Sequence, residues 1–458
     1  MRTIALLAAA VLCSSVLSAP PQGGAITVTP VEITDPIDRQ ILDAYLAHVE
    51  TLGAYCTPER MAQFAAQPED IVWQGSQYIR VAYVAYLLTA DPKYLDMFVE
   101  RMDTLCDQLT TGPDGKRGWY GLAYDLFRHP EHPDRAVDVQ ITSFQIAGML
   151  ADFARVVEGD EALQATYGAK VSEYLALAQE LVDKWEARGS YRDLGTGGAV
   201  YTTHPDLHPV KGNLTQPHNK LSKLCRVLLH LYAATGREDY LVKAIKLGTR
   251  FKHNMTLVDD HYEWNYLNPA GAWDINPDKP EAWKHWIGTE HRGAYYNLSV
   301  QFAVALYQHG LVFDATDMQR FANTQVKMCW NGDLANPVWR RVDGTPMEDQ
   351  RYLAAWLAPF DERIYTLAFE GPLQQERLER RDHAWQGGIV AMEWLEAKYL
   401  LYPRWQGGQP AETGLIADFL AKPENQALVE SLRFDVTPQN SYVAPKTPAQ
   451  MDPMPGAG

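Results

Sequence analysis

The sequence predicts an all-α protein, because helical periodicity dominates the chain and the helices come in repeated pairs. Apolar residues recur at helical spacing from residue 37 onward. The turn between two such segments at Thr89–Leu95 resembles the one at Thr235–Leu241, and Val157–Leu163 is a looser version. An isolated hairpin cannot bury both of its faces, so repeated hairpins must pack on one another in a line or a ring.

Three long connections favour the ring. The segments 110–137, 188–217 and 255–291 are rich in polar and aromatic residues and interrupt the helical pattern. Long loops of this kind in a compact domain usually carry function, whereas an open solenoid would show a tighter period. We therefore expect an (α/α) toroid of about six or seven helical hairpins, forming a single large domain over residues 20–433.

The helices that support this expectation follow one another in pairs along the chain. Some of these segments are strongly apolar, such as 79–88, and others are amphipathic, such as its partner 94–105. The predicted segments are 37–49, 79–88, 94–105, 144–157, 174–185, 221–232, 240–251, 298–307, 318–328 and 391–401.

Both ends of the chain differ from this pattern. Arg2 and the apolar stretch Ile4–Leu17, followed by Ser18 and Ala19, predict a signal peptide over residues 1–19 and export to the periplasm or the exterior. An uncleaved anchor is the alternative. Residues 434–458 hold five prolines and little apolar content, so we expect a disordered or surface-draped tail.

Charge and cysteine content exclude several classes of function. The 458 residues carry 41 Lys and Arg against 57 Asp and Glu, a net charge of −16 without any basic run, which argues against nucleic-acid binding. Outside the signal there is no apolar run long enough to span a membrane. Cleavage of the signal peptide would remove Cys13 and leave four cysteines, which permit disulfides: Cys56, Cys106, Cys225 and Cys329. Because the chain has no CxxC motif, thiol redox chemistry and a cysteine zinc site have no support.

The richest candidate for a binding site is the segment 259–297. It combines four tryptophans with His, Glu and Arg, and flat aromatic faces beside fixed polar groups suit the faces and hydroxyls of a sugar ring. The candidate substrate-binding residues in this segment are Glu263, Trp264, Trp286 and Glu290. The alternative is that the tryptophans only fill the wall of the ring.

The end of this segment opens a helix that brings possible catalytic groups together. His291 and Tyr295 are four residues apart, and so are Arg292 and Tyr296, so each pair shares a helix face. A nearby Arg or protonated His favours tyrosinate, which would help a tyrosine act as a base. Capping and core packing are the alternative roles.

A second cluster begins another helix. Pro217 precedes an apolar run, so His218 and Asn219 should lie in the first turn, where the positive end of the helix can receive a carboxylate. His204 and His208 are not expected to share a metal, because Pro205 spoils the helical geometry. We therefore predict no metal site.

Two further groups are candidates for the edge of a cleft. Trp73, with Arg80 after it, and Trp119 would bind substrate if their loops converge. The segment 382–388, Asp-His-Ala-Trp-Gln-Gly-Gly, precedes a late helix and could close the ring. The chain has no GxSxG, P-loop or HExxH motif, so serine hydrolase, nucleotide and zincin functions lack support.

Taken together, the hairpins and three short motifs resemble the (α/α)-toroid polysaccharide lyases of the alginate and glucuronan lyase kind. The motifs are 217–219, 262–266 and 290–297, and the architecture resembles the family over about residues 70–400. The resemblance implies β-elimination from a uronic-acid polymer without a metal or organic cofactor. It also implies that Arg292 with Asn219 or His218 neutralises the carboxylate, and that Tyr295 or Tyr296, or else His218 or His291, is the base.

Other functions fit the same fold. A glycoside hydrolase would use a pair of carboxylates, for which Glu263, Asp274 and Glu290 are available with Asp259 or Asp260. A non-catalytic glycan-binding protein would need only the aromatic residues, and a sugar epimerase is a further alternative. The net charge opposes a polyanionic substrate at long range unless Arg and Lys gather in the cleft.

Overall fold

The computed structural model describes residues 23–347 and 350–450, and the predicted signal peptide at 1–19 lies outside them. The described chain is mostly helical, as predicted, and no helix in it is both long and apolar enough to cross a membrane. Its helices are α1 Pro36–Thr51, α2 Pro58–Ala65, α3 Pro68–Asp70, α4 Ser76–Thr89, α5 Lys93–Cys106, α6 Gln140–Glu158, α7 Glu161–Ala187, α8 His218–Thr235, α9 Glu238–His253, α10 Gly293–Gln308, α11 Ala315–Asn323, α12 Glu362–Phe369, α13 Gly371–Glu379, α14 Ala391–Leu395, α15 Ala417–Leu420 and α16 Pro423–Ser431.

The inner helices close into a ring. α4 packs on α6, α6 on α8 and α8 on α10, and α10 packs on a 3₁₀ turn at Ala355–Phe360. That turn contacts the π-helical segment Glu396–Leu401, which continues α14 and packs back on α4. The partners α5, α7, α9, α11 and α12 pack outside their inner helices, and α1 packs behind α14. The result is a single (α/α) toroid of six units, as the fold prediction expected.

Burial explains why the two sets of helices differ in sequence. In the inner helix α6, 16 side chains are buried, so apolar and small residues occur all round it. The outer helix α5 buries one stripe, including Phe98, Met102 and Leu105, and exposes the rest. Inner helices therefore read as almost continuous apolar runs, and outer helices as amphipathic ones.

Two similar turns end inner helices in the same way. Ala90 after α4 has φ 55° and Gly236 after α8 has φ 67°, so each stops its helix in the left-handed conformation. The looser turn differs, because Gly159 is right-handed and Asp160 caps α7 through the N–H groups of Ala162 and Leu163. These short turns place the C-terminal ends of the inner helices at one end of the ring.

All described strands lie in the three predicted long loops. They form five two-stranded antiparallel ribbons, each joining strands that are adjacent in sequence. The strands are β1 Thr110–Thr111, β2 Arg117–Gly118, β3 Gly121–Leu122, β4 Ala136–Val137, β5 Tyr191–Asp193, β6 Ala199–Tyr201, β7 Met255–Val258, β8 His261–Trp264, β9 Ile275–Asn276 and β10 Lys279–Trp283. Each long loop leads into the N-terminus of an inner helix, so the ribbons gather at the end of the ring opposite the short turns.

The cysteines and the C-terminal tail complete the fold. Cys56, Cys106, Cys225 and Cys329 are all free thiols, so the disulfides that the sequence permitted do not form. In the tail, the Tyr442 N–H donates to the Met255 carbonyl, and Trp283 Nε1 donates to the Pro445 carbonyl at 2.9 Å. The described part of the tail therefore lies along the ribbon of β7 and β8 and the nearby β10.

Candidate functional site

A cavity of about 560 Å³ occupies the centre of the ring. Its wall consists of side chains from the inner helices α4, α6, α8, α10 and α14 and from the turn at Ala355–Phe360. Pockets of this size are typical of sites for small molecules. Among the residues that the sequence indicated, Trp73 lines this cavity, and Arg80, which follows it on α4, does so too.

The half of the cavity nearer the N-terminal ends of the helices carries an excess of positive charge. Four cations, Arg80, Lys223, Arg226 and Arg377, face it together with two acids, Glu393 and Glu396. We call these six residues the charged cluster. In the other half, Arg155 and Arg404 are balanced by Asp152 and Glu412. A protein with a net charge of −16 thus concentrates positive charge where a ligand would enter.

Within the charged cluster the cations are only partly neutralised. Arg80 forms an ion pair with Glu396. Arg226 donates to the Gln301 amide oxygen at 2.7 Å and lies 4.8 Å above the ring of Trp356, with no carboxylate partner among the described ion pairs. The planar guanidinium of Arg226 is therefore available to a carboxylate ligand, which it can bind through two parallel hydrogen bonds.

Lys223 is the cation most altered by this environment. Burial, together with the nearby charges of Arg226 and Arg80, lowers the pKa of its ammonium group to about 8. Its Nζ donates to the Gln145 amide oxygen at 3.2 Å and lies 5.1 Å above the ring of Trp73. A lysine with a pKa close to neutrality can exchange a proton with a substrate.

Two acidic groups in the cavity have opposite character. Burial and the neighbouring Glu396 raise the pKa of Glu393, although its side chain is open to water in the cavity. Burial acts in the same direction on Asp152, but His230, whose Nδ1 lies 2.8 Å from its carboxylate, lowers the pKa of Asp152 overall. Glu393 therefore stays protonated to a higher pH than Asp152 does.

Aromatic and amide side chains complete the lining. The rings of Trp73 and Trp356 reach the cavity beneath Lys223 and Arg226, and Trp394 and Trp405 line it further on. The Oδ1 atom of Asn297 has no hydrogen-bond partner in the part of the chain that the structure describes. The tryptophan rings and the amide side chains that line the cavity are suited to binding the faces and hydroxyl groups of sugar rings.

The predicted residues His291, Tyr295 and Trp286 form an aromatic cluster at the N-terminal end of α10. With Tyr266 and His285 they make the rim cluster, in which Tyr266 stacks on Trp286 at 5.9 Å and on Tyr295 at 5.5 Å. Trp286 is 48% exposed. Because Ala294 and Asn297 on the same turns of α10 line the cavity, the rim cluster lies beside its mouth.

Two other predicted residues, Tyr296 and Trp264, lie beneath the rim in the core, whereas Arg292 lies at the surface. Tyr296 is fully buried, donates to the Gln325 amide oxygen at 3.0 Å, and stacks on the buried Trp264. Arg292 is exposed and lies 5.5 Å above the ring of Tyr295. The helical register thus separates the two tyrosines, with Tyr295 at the rim and Tyr296 inside the wall.

His218 and Asn219 occupy the first turn of α8, as the sequence indicates, but their side chains are buried. The Nε2 atom of His218 lies 3.1 Å from the Asn268 amide nitrogen, and burial lowers the pKa of His218 to about 3. The His218 Nδ1 and Asn219 Oδ1 atoms have no described partner. This histidine is neutral at physiological pH and faces protein rather than the cavity.

Glu290 is also sealed in the wall. Its Oε1 accepts from the N–H groups of His291 and Arg292 at the start of α10, and burial raises its pKa to about 8. Tyr352 donates to its carbonyl oxygen. The arrangement holds the helix N-terminus in place with a carboxyl group that is protonated at neutral pH.

The remaining predicted residues lie away from the cavity. Glu263 is half-buried on β8 beside His261, and burial raises its pKa. Trp119 is fully buried and donates to the Leu105 carbonyl at 3.0 Å. Among the carboxylates considered for hydrolysis, Asp274 is buried and accepts from the Thr215 and Ala270 N–H groups. Asp260 pairs with Lys327 on the surface, and Asp259 holds the β7–β8 turn at φ 50°.

Sequence reasoning missed Lys223, Arg226 and Glu393. A signal was present, because each is a charged residue within an almost continuous apolar run. Lys223 and Arg226 are three residues apart on α8, and Glu393 and Glu396 are three apart across the end of α14. A charged side chain is costly to bury, so within the apolar sequence of an inner helix it lies on the side that faces the cavity. Residues three apart on a helix share that side.

One group of side chains has the spacing of metal ligands. His129, Glu131 and His132 offer ligand atoms within 4.8 Å of one another on an exposed loop between β3 and β4. None of the three lines the cavity. His204 and His208 do not belong to any such group in the described residues.

No protein-family model and no curated protein sequence matches this chain. A search of solved structures finds a crystal structure of D-mannose isomerase with a TM-score of 0.41 and 13% sequence identity. The superposition covers 85% of this chain and all of the isomerase chain. At this degree of similarity the two structures differ too much for the comparison to bear on function.

Proposed function

We propose that this protein is a carbohydrate-active enzyme that cleaves a uronic-acid-containing saccharide by β-elimination in the central cavity. The observation that carries the proposal is the charged cluster, in which four cations face two acids beside tryptophan rings and amide side chains. Such a cavity suits a sugar that bears a carboxylate. The local excess of cations also answers the objection that a protein of net charge −16 repels a polyanion.

The first requirement of the reaction is to make the C5 proton of the uronate acidic. Arg226, which has no carboxylate partner in the described chain, would bind the substrate carboxylate, with Arg80 and Arg377 also in the cluster. Neutralising that carboxylate stabilises the enolate-like charge that develops when the proton leaves. This is the role that the family resemblance assigned to Arg292, which lies at the rim.

The second requirement is a base and an acid. Lys223, with a pKa of about 8, would accept the C5 proton on its neutral amine. The electrons of the C5–H bond form the C4–C5 double bond, and the C4–O4 bond breaks. Glu393, whose pKa is raised, would protonate the departing O4. Proton, electrons and leaving group are thereby balanced without a further reactant.

The rim cluster would bind the sugar next to the one that reacts. Trp286 is exposed, and Tyr266 and Tyr295 stack beside it, so the cluster offers flat faces at the mouth of the cavity. Tyr295 with His291 is the alternative base that the sequence indicates. An export signal at residues 1–19, if cleaved as predicted, would bring the enzyme to polymeric substrates outside the cytoplasm.

Glycoside hydrolysis is the second candidate, because four carboxylates also line the cavity. Glu393 has the raised pKa that a general acid needs, and Glu396 or Asp152 would be its ionised partner. Hydrolysis creates a reducing end without a double bond. The two reactions therefore differ in their products.

The test is ultraviolet absorbance of the purified protein with alginate, glucuronan, pectate, ulvan and glycosaminoglycans, with a parallel assay for reducing ends. A rise in absorbance that is lost in Lys223→Met would support elimination in the cavity. Reducing ends without absorbance would transfer the proposal to hydrolysis. Binding of a polymer without either product would indicate a glycan-binding protein, and no binding would contradict all three.

A further inference from the structure

The end of the ring that holds the short turns is crossed by the segment 24–31, which we call the lead-in segment. The Ile26 N–H donates to the Arg155 carbonyl at 2.8 Å, at the end of α6, and the Val31 N–H donates to the Leu88 carbonyl at 2.9 Å, at the end of α4. Arg155 also donates through Nε to the Gly24 carbonyl at 2.7 Å. The lead-in segment is thus fixed across two neighbouring inner helices.

A second segment, residues 404–416, crosses the same end from the other side. The Glu412 N–H donates to the Gln308 carbonyl at 2.8 Å, and the Ala411 N–H donates to the Gln308 side-chain oxygen at 2.9 Å. Tyr307 donates to the Gly408 carbonyl at 2.6 Å. This closing segment is therefore bonded to the end of α10.

The two segments meet beneath the cavity. Gly23, directly before the lead-in segment, lies near the closing segment, since a Cβ atom added to it would be 3.8 Å from the Leu415 side chain. Ile26, Trp405 and Leu415 all line the cavity, and Trp405 and Leu415 are buried. The chain continues through α15 and α16, where Asn425 contacts Glu238 next to the end of α8.

Among residues 23–347 and 350–450, no comparable segment is bonded across the opposite end of the ring. Ala294 at the start of α10 and Glu393 on α14 line the cavity and are exposed. In the part of the chain that the structure describes, the lead-in and closing segments therefore leave the cavity open at the end where the ribbons and the rim cluster lie, while at their own end Arg404 is the exposed lining residue and pairs with Glu412.

We infer that the cavity is a dead-end pocket that receives the end of a saccharide chain, so that the enzyme removes short units from chain ends. The inference rests on the proposed function. An internal stretch of a polymer needs two exits from the site, and the lead-in and closing segments block the second. The volume of about 560 Å³ admits a short saccharide rather than a continuous chain.

The blind half of the cavity has the groups to hold a terminal sugar. Its two arginines are balanced in charge by Asp152 and Glu412. It also contains two histidines, His230, which pairs with Asp152, and His309. Neutral, hydrogen-bonding surroundings suit the hydroxyl groups of a terminal residue, while the charged cluster above them holds the carboxylate.

The decisive experiment follows viscosity and bond cleavage together on the polymer that gives a signal in the absorbance panel. Removal of chain ends predicts mono- to trisaccharide products from the first time point, with little loss of viscosity while the first tenth of the bonds is cleaved. A steep early fall in viscosity with products of intermediate length would overturn the inference while leaving elimination intact. No cleavage and no binding of any polymer or uronate trisaccharide would instead overturn the proposed function.

A matched pair of variants tests the blind end itself. Ile26→Trp places bulk at the end of the cavity, and we expect turnover of a uronate trisaccharide to fall at least tenfold. Thr27→Trp is the control, because Thr27 is exposed on the same segment and does not line the cavity. Equal activity in both variants, with a folded Ile26→Trp protein by circular dichroism, would contradict a substrate that reaches the closed end.

Discussion

Two regions of the molecule contain strongly perturbed ionisable groups, and they differ in access to water. In the charged cluster, Lys223 has a pKa of about 8 and Glu393 a raised pKa, and both line a cavity with an open mouth. In the wall behind the rim cluster, His218 has a pKa of about 3 and Glu290 one of about 8, and both are buried. Burial is the largest cause in all four cases.

The comparison teaches that a perturbed pKa does not by itself identify a catalytic group. The Nε2 atom of His218 contacts the Asn268 amide, and Oε1 of Glu290 accepts from the His291 N–H. Their other polar atoms, Nδ1 of His218 and Oε2 of Glu290, are buried against protein. Lys223 and Glu393 face space that a substrate can enter. We therefore expect substitutions in the cluster to alter turnover, and substitutions in the wall to alter stability.

The largest expected effect is that of Lys223→Met, which removes the proposed base and should lower kcat about 10²–10⁴-fold. In the wild type, turnover should rise with pH through about 8, because Lys223 must lose its proton to act, and the variant should lack this rise. Steady-state kinetics from pH 6 to 9 measures both. Lys246→Met, at a lysine paired with Asp193 outside the cavity, is the control. Unchanged kcat in Lys223→Met would exclude this base.

Arg226→Met should weaken substrate binding and also lower kcat, because the guanidinium both holds the carboxylate and stabilises the charge that develops on it. Losing a charge-assisted hydrogen bond of about 1.5–3 kcal/mol raises KM for a uronate oligosaccharide roughly 10–150-fold. The same variant should bind a carboxyl-reduced oligosaccharide as the wild type does. Arg433→Met, at an exposed arginine on the far surface, is the matched control. Equal losses on charged and neutral ligands would show that Arg226 supports the fold rather than the carboxylate.

Glu290→Gln should change stability and its pH dependence. The raised pKa means that the folded protein keeps a proton that the unfolded chain releases above its ordinary pKa of 4.5. The free energy of unfolding of the wild type should therefore fall as pH rises from about 4.5 to 8, and the variant should lose this slope. Urea unfolding of the wild type and the variant at pH 5 and pH 8 measures this difference in the free energy of unfolding. Gln can still accept from the His291 and Arg292 N–H groups. Parallel slopes would contradict a buried, protonated Glu290.

The two tyrosines should give the smallest effects. Tyr296→Phe loses the hydrogen bond to Gln325 and should cost about 1 kcal/mol of stability with kcat unchanged. Tyr295→Phe should alter KM a few-fold at most, since its ring remains stacked on Tyr266. Thermal unfolding and kinetics of both variants decide. Abolished turnover with intact substrate binding in Tyr295→Phe would return the chemistry to the rim, and the same result in Tyr296→Phe would make the buried tyrosine catalytic, as the family resemblance allows.

Local sequence signals were sufficient for the helices and the long loops. The apolar runs of α4, α6 and α8 could be read directly, because an inner helix is buried all round. His218 could be placed in the first turn of α8 because Pro217 precedes the apolar run. Where these side chains face could not be read, because direction depends on which neighbouring helix covers each side.

The candidate site illustrates the same limit. The segment 259–297 attracted attention because aromatic and charged residues are dense there, yet much of it forms the wall and rim. The charged cluster is spread over α4, α8, α13 and α14, so its members are more than 300 residues apart in sequence, from Arg80 to Glu396. Only closure of the ring, through packing of α14 on α4, brings them together.

The sequence by itself determined the fold class, since periodicity, repeated turns and three long loops are local properties of the chain. It also placed Trp73 and Arg80 together, because they are close in sequence on one helix and the turn before it. The tertiary structure alone decided which charges share a cavity, which tyrosine is accessible and which end of the ring is closed. The physical reason is that burial and electrostatic interaction depend on distances in space, which closure of the ring sets between residues far apart in the chain.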